Sequence, residues 1–265
     1  MREKTEFSLL LVRAALIAAA LAFWQYAAVS GMVSAYYTSY PTEILLDLID
    51  FAQSGALWKH ASVTLSEALM GLFYGTVTGI FTGVLFGQFK RLGKVFLPIV
   101  TAIHGVPQLT LAPVYILWFG LGFTSKVFLA SLMVFFNVFF ATFGAVNSME
   151  KKLVESATLL GAGKVQTLWH VVLPSCSPWI LTGIRNGLGS SLVGAIIGEY
   201  MGAAAGFGWM IAYATSYFNI KRVMSCIVIL LLVGVIMNFS LDKAEQRLFI
   251  WRPKGALDIG PKSNS

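Results

Sequence analysis

The sequence predicts an all-α integral membrane protein of six transmembrane helices, with both termini on the cytoplasmic side. Three observations carry this reading. Charged residues make up only 12% of the 265, against 57% hydrophobic, at a mean hydropathy of +0.75. Soluble domains carry about 25% charge, so this chain has too little polar surface for a water-soluble globule. Apolar runs long enough to cross a hydrocarbon core of ~30 Å recur along it. Its basic residues, finally, fall almost entirely in alternate connections between those runs. Residues 1–265 are read as a single transmembrane domain.

The first run, 9–29, follows Arg2 and Lys4 and contains Arg13. A secretory signal also begins basic, but Phe23-Trp24-Gln25-Tyr26 makes a poor small-residue cleavage site, so a retained span is expected. After Pro41, residues 42–52 place Ile44, Leu45, Leu48, Ile49 and Phe51 on a helical period. That stretch is too short and too acidic to span and is expected on the membrane surface. The second span, 61–89, carries Gly71, Gly75, Gly79, Gly83 and Gly87, a smooth ridge suited to close packing against another helix of the same chain. Lys90, Arg91 and Lys94 close it with a basic turn.

The third span, 95–119, contains Pro98, Pro107 and Pro113, each removing a backbone donor. It is either a cavity-lining helix or a kinked packing helix. A turn at Trp118–Gly122 leads to the fourth span, 127–146, whose interior polar residue is Asn137. The fifth, 177–198, holds Arg185 and has Glu199 at its far end. The sixth is 223–241, followed by a basic cytoplasmic tail, 242–265.

Alternating these spans leaves Lys59, Lys126, Lys221 and Arg222 on one side and nearly all other basic residues on the opposite side, which is therefore cytoplasmic. The net charge of +7 is thus accounted for by topology, and no nucleic-acid partner is expected. Cys176 and Cys226 fall near opposite faces, too far apart for a disulfide.

The longest polar interruption, 150–164, runs on to Pro174 and is cytoplasmic by the same count. Its end, Gly161-Ala162-Gly163-Lys164, looks like the tail of a phosphate-binding loop. Position 158 is Thr rather than Gly, however, Val165 follows the lysine, and the upstream pattern is helical. No nucleotide is expected here. Leu153, Val154, Ala157 and Leu160 form an apolar stripe with charged flanks, and Gly161 and Gly163 allow a tight turn out of the helix.

Glu155-Ser156-Ala157, Gly161 six residues after Glu155, and Val171-Val172-Leu173-Pro174 after nine more resemble the EAA loop of binding-protein-dependent ABC importer permeases. Val106-Pro107, Ala112-Pro113, residues 116–122, Gly183-Ile184-Arg185 and Glu199 with Gly206-Phe207-Gly208 are similar to the nitrate/sulfonate/taurine branch. Ser156 departs from the usual Ala, and His104 stands where relatives often carry Arg, so its charge would depend on pH. The resemblance implies a type I permease fold in the bacterial inner membrane. It implies a non-catalytic subunit, with ATP and Mg²⁺ bound by a partner. The implied partners are a cytoplasmic ATPase dimer, an extracytoplasmic solute-binding protein and a second, identical permease copy. It also implies that Leu153, Glu155, Ser156, Ala157, Leu160, Gly161, Gly163 and Pro174 form the ATPase-coupling segment. The implied cargo is a small organic or inorganic anion, with a vitamin precursor or other aromatic heterocycle as the alternative.

His104, Pro107, Gln108 and Asn137 are candidates for the translocation pathway because they lie within spans; an interhelical hydrogen bond is the other reading of Asn137. Arg185 is expected to meet carbonyls near the EAA helix or lipid phosphates. Glu199 is expected near the outer mouth, against the binding protein, Lys221 or Arg222. A proton-driven carrier is the rival class, yet only Glu67 falls inside a span, near its outer end. A membrane enzyme would need a nucleophile and base at one depth, and no such pair is evident.

Overall fold

Among the residues described by the computed structural model, 2–33 and 38–248, every regular element is helical. In chain order they are α1 (Arg2–Val29), α2 (Pro41–Gln53), α3 (Ala56–Gln88), α4 (Lys90–Gly105), a 3-10 turn (Gln108–Leu111) and α5 (Ala112–Phe119). Then come α6 (Phe123–Ser148), α7 (Lys151–Leu159), α8 (Lys164–Thr167), a π-helical turn (Leu168–Val172), α9 (Leu173–Gly202), α10 (Phe207–Ser216) and α11 (Ile220–Leu248). The part of the expected tail from 249 onward lies outside the described residues.

The glycine ridge explains the centre of the fold. A Cβ added at Gly79 would lie 2.9 Å from Val138 Cβ, and one at Gly83 2.8 Å from Thr142 Cβ, so α3 meets α6 backbone to backbone. On the other flank of α6, Gly183 and Gly194 of α9 approach Ala141 and Ala130 equally closely. Val134, Val138 and Phe139 are fully enclosed as a result. Close approach of this kind supplies the van der Waals contact that holds helices together in lipid, where apolar burial gives no driving force. The outer faces stay apolar and exposed, as with Phe73, Phe81, Leu231 and Val235.

Among the described residues five helices are long and apolar enough to cross a membrane, and a bent pair, counted as one span, makes six. That pair covers the proline-bearing span expected over 95–119 and breaks it in two. α4 begins at Lys90, which puts Lys90, Arg91 and Lys94 in its first turns, and ends at Gly105. The 3-10 turn and α5 then depart at 78°. Pro107 forces Val106 into the extended region, φ −76° and ψ 128°. The fifth span also starts earlier than expected. Helix runs from Lys164 through the π turn into α9, and the wide turn accommodates Pro174, which has no N–H to offer.

Cys176 and Cys226 are both free and buried, in different apolar clusters. α2 packs on α11 through Phe51 and through Arg222, which pairs with Asp47 at 2.9 Å and Asp50 at 3.2 Å. The Arg222 guanidinium also lies 4.2 Å from the Phe51 ring centroid. Asp47 is only 3% exposed, whereas Asp50 is 76% exposed and contributes little. Arg222→Ala strands the Asp47 charge and is expected to cost about 3 kcal/mol or more. Thermal unfolding of the purified variant, with Asp47→Asn added as a rescue, measures it.

Candidate functional site

Two places in the fold, one at each end of the bundle, hold the coupling segment and Glu199; the other residues singled out by sequence lie elsewhere. The first is α7 with the chain around it. Glu150 stands at its N-cap and Leu160 at its C-cap. Gly161 adopts φ +87°, and the amides of Gly161 and Ala162 donate to the carbonyls of Thr158 and Ala157 at 3.0 Å each. This is the Schellman closure, which needs a left-handed residue just past the helix. Gly163, by contrast, has φ −70°, so the turn rests on Gly161 alone. The Gly163 amide donates to Gln166 Oε1 at 3.1 Å and helps start α8.

The apolar stripe expected over 153–160 divides in two. Val154 packs onto the cluster of Ala145, Val146, Val172, Cys176 and Ile180, and so fixes α7 to the ends of α6 and α9. Ala157 is half-buried. Leu153, Leu159 and Leu160 point away from the protein, the last two 88% exposed, and Glu155 and Ser156 are exposed with them. Leu160 is the C-cap, where the chain unwinds, which takes it off the inward face.

Of the pathway candidates, His104 and Pro107 are exposed along the broken pair α4–α5. The His104 ring packs on Phe136 and Phe140 at centroid distances of 4.8 and 5.2 Å. Gln108 is buried instead: its amide donates to Ile103 O (2.8 Å) and Val106 O (3.0 Å) and its carbonyl accepts from Tyr115 (3.2 Å). It ties the bend together. Asn137 donates to Ser190 Oγ at 2.9 Å, joining α6 to α9. Arg185, its side chain 36% exposed, is held by carboxylates. It pairs with Asp242 at 2.6 Å and Glu245 at 2.8 Å on α11, i and i+3 on one helix face.

The second place lies at the opposite end, around Glu199, which is fully buried and contacts neither Lys221 nor Arg222. Its Oε1 accepts from Thr64 Oγ1 and its Oε2 from the Gly208 amide, both at 2.7 Å. Thr64 in turn accepts the Phe207 amide at 2.9 Å, and His60 Nδ1 accepts the Gly206 amide at 3.0 Å. Three successive amides at the start of α10 are thus taken by side chains of α3 and α9, with the carboxylate at the positive end of the helix. Gly206, at φ +104° and ψ 165°, and Gly208 leave room for this: a Cβ on Gly208 would stand 2.9 Å from Glu199 Cβ.

Lys126, expected in the connection before the fourth span, is 1% exposed. Its ammonium donates to the carbonyls of Leu121 and, at 2.5 Å, of Gly202, closing the C-terminus of α9. Glu67, about one turn beyond Thr64 on α3, is 3% exposed. His60 stacks on Trp209 (5.3 Å, 9°), and Trp209 on Tyr213 (5.1 Å). Sequence reading left Glu67 at a span end and passed over His60 and Thr64. The four-residue step from His60 to Thr64 on one helix face was the available signal.

Residues 75–250 match the family described as the binding-protein-dependent transport system inner membrane component. The chain is 33% identical over 232 residues to SsuC of Bacillus subtilis, a permease protein assigned to aliphatic sulfonates transport, covering 88% of this chain and 84% of that one. It is 29% identical to TauC of Escherichia coli, the taurine transport system permease protein, over 89% of this chain and 87% of the relative. The formylaminopyrimidine transport permease protein ThiX of Halalkalibacterium halodurans is 31% identical over 83% of this chain and 87% of its own length. A solved structure of the MetNI methionine ABC transporter, in an inward facing conformation, superimposes at a TM-score of 0.63. It covers 72% of this chain and 97% of its own at 19% identity, a likeness of fold.

Proposed function

Because the chain belongs to the family of binding-protein-dependent transport system inner membrane components, we propose that this importer permease is driven through α7 by a cytoplasmic ATPase dimer. It is a multi-pass protein of the inner membrane. The single observation that carries the coupling role is the one-sided anchorage of α7. Val154 holds it on the bundle while Leu153, Leu159 and Leu160 face outward without a partner among the described residues. A rigid helix fixed on one side and open on the other suits a push delivered from outside.

The end bearing α7 is cytoplasmic in this reading, supported by Lys90, Arg91, Lys151, Lys152, Lys164 and Lys243 at that end. ATP and Mg²⁺ belong to the partner, and the engagement of the Gly163 amide by Gln166 is consistent with this. A soluble binding protein delivers cargo to the opposite face. A second, identical copy completes the pathway along α4 and α5, with His104 and Pro107 on its wall. Gln108 and Asn137 support that wall from behind, since their polar atoms are already engaged.

The cargo proposed is a small organic or inorganic anion of the sulfonate, taurine or nitrate kind, in line with what SsuC and TauC are named for. The similar identity to ThiX favours a second reading, a vitamin precursor or other aromatic heterocycle. Reconstitution in proteoliposomes tests the proposal. Uptake is expected only with ATP, the ATPase pair and the binding protein together. ATP-independent uptake by this chain alone would overturn it and leave the secondary-transporter reading.

A further inference from the structure

α11 is held differently at its two ends. At the end remote from α7, Cys226 and Ile229 pack with Phe51 of α2 and Phe207 of α10, and Arg222 pairs with Asp47 and Asp50. Toward the α7 end the same helix leans on α9 and α3 through one apolar cluster, in which Met237 joins Leu188, Leu192, Ala195 and Ala68. Leu231, Val235 and Phe239 are more than half exposed there, a face left to lipid. Beyond Leu241 the helix becomes polar. Asp242 and Glu245 then both reach Arg185 of α9, one through Nη1 and the other through Nη2.

Arg185 is the residue of α9 next to the seat of the coupling segment. Ile184 packs against the cluster of Ala145, Val146, Val172, Cys176 and Ile180, which also receives Val154 of α7. One step along a helix is a turn of about 100°, so one side chain goes to that cluster and the next to α11. Apolar contact alone is non-directional and lets neighbouring helices slide. Two charge-assisted hydrogen bonds from one planar guanidinium, to carboxylates three residues apart, fix α11 in both height and rotation. The side chains of Arg185 and Asp242 are 36% and 44% exposed, so their pairing adds little to stability; what it adds is register. We propose that Arg185 is a positioning residue for transport: it makes the α7 end of α11 travel with α9, so that a push on α7 reaches both helices. This rests on the reading of α7 as the driven element. Without the clamp, the push moves α9 while α11 stays with α2 and α10, to which its other end is fixed.

Arg185→Gln removes both ion pairs at little cost to folding. Uptake in proteoliposomes with the ATPase and the binding protein is expected to fall about fivefold. ATP hydrolysis is expected to stay within about twofold of the parent, so that more ATP is consumed per cargo imported. A charge exchange, Arg185→Glu with Asp242→Arg and Glu245→Arg, re-forms the pairs in reverse and is expected to bring uptake back to within about twofold. A second readout needs neither α7 nor the ATPase. Spin labels on Thr182→Cys of α9 and Gln246→Cys of α11, both exposed positions, report the distance between the helices in the permease alone. The buried Cys176 and Cys226 are replaced by alanine for this purpose. The distance distribution is expected to be narrow in the parent and in the charge exchange, and broad in Arg185→Gln. An equally narrow distribution in Arg185→Gln overturns the clamp whatever the role of α7. A broad one with unchanged uptake overturns its part in transport. Uptake and hydrolysis lost in equal measure, or no recovery in the charge exchange, makes Arg185 merely structural and overturns the proposal as well.

Discussion

Gly206→Ala is expected to cost about 3 kcal/mol or more, the largest loss of stability from adding one methyl group to this chain. Two independent penalties coincide there. The backbone sits at φ +104° and ψ 165°, a region open essentially to glycine alone. The added Cβ would also overlap the Glu199 carboxylate. Relief of either requires Gly206 to withdraw, which breaks its bond to His60 and pulls the Phe207 and Gly208 amides from Thr64 and Glu199. The buried carboxylate then loses a donor it cannot replace from water. Thermal unfolding of the purified variant measures the loss. Gly31→Ala makes the control, since Gly31 is also at positive φ but has open space at the Cβ position. A Gly206→Ala loss no larger than the control's would mean that the α10 junction is not rigidly held.

That junction also shows where sequence reading stops. The glycine ridge of α3 was legible because a four-residue repeat on a helix maps onto one face regardless of its partner. The α7 turn was legible because Gly161 and the spacing around it encode a local geometry. The three prolines of 95–119 signalled a disturbed span, but which of them breaks it, and the 78° angle, depend on how Gln108 and Tyr115 pack. Thr64 and Glu199, however, meet across 135 positions of sequence, and nothing local to either announces the other. Lys126 looked like a loop cation because it follows the Gly120–Gly122 turn so closely. Burial of its ammonium became visible only once α9 was seen to end at Gly202 beside it. Arg185 was expected against carbonyls or lipid phosphates for the same reason: its two carboxylates arrive from α11.

The division of the α7 stripe leads to the other large effect, and it is one of function. Leu160→Asp is expected to lower ATP-driven uptake at least about tenfold, the loss that 1.4 kcal/mol of docking energy produces. Leu160 is 88% exposed, so the change leaves the fold, insertion and melting temperature where they were. What it does is place a charge where an apolar contact with the ATPase is proposed, and a desolvated, unpaired carboxylate opposes that contact. Val154→Asp, six residues earlier, is expected to act in the opposite manner. Val154 packs against the cluster that holds Val146, Val172 and Cys176, so a carboxylate there disrupts the anchorage itself and lowers stability before any partner binds. Uptake in proteoliposomes, co-purification with the ATPase and thermal unfolding of the permease alone distinguish the two. Leu160→Asp should fail the first two and pass the third, whereas Val154→Asp should fail all three. Unchanged uptake in Leu160→Asp would remove the outward face of α7 from the drive mechanism, whatever its resemblance in sequence.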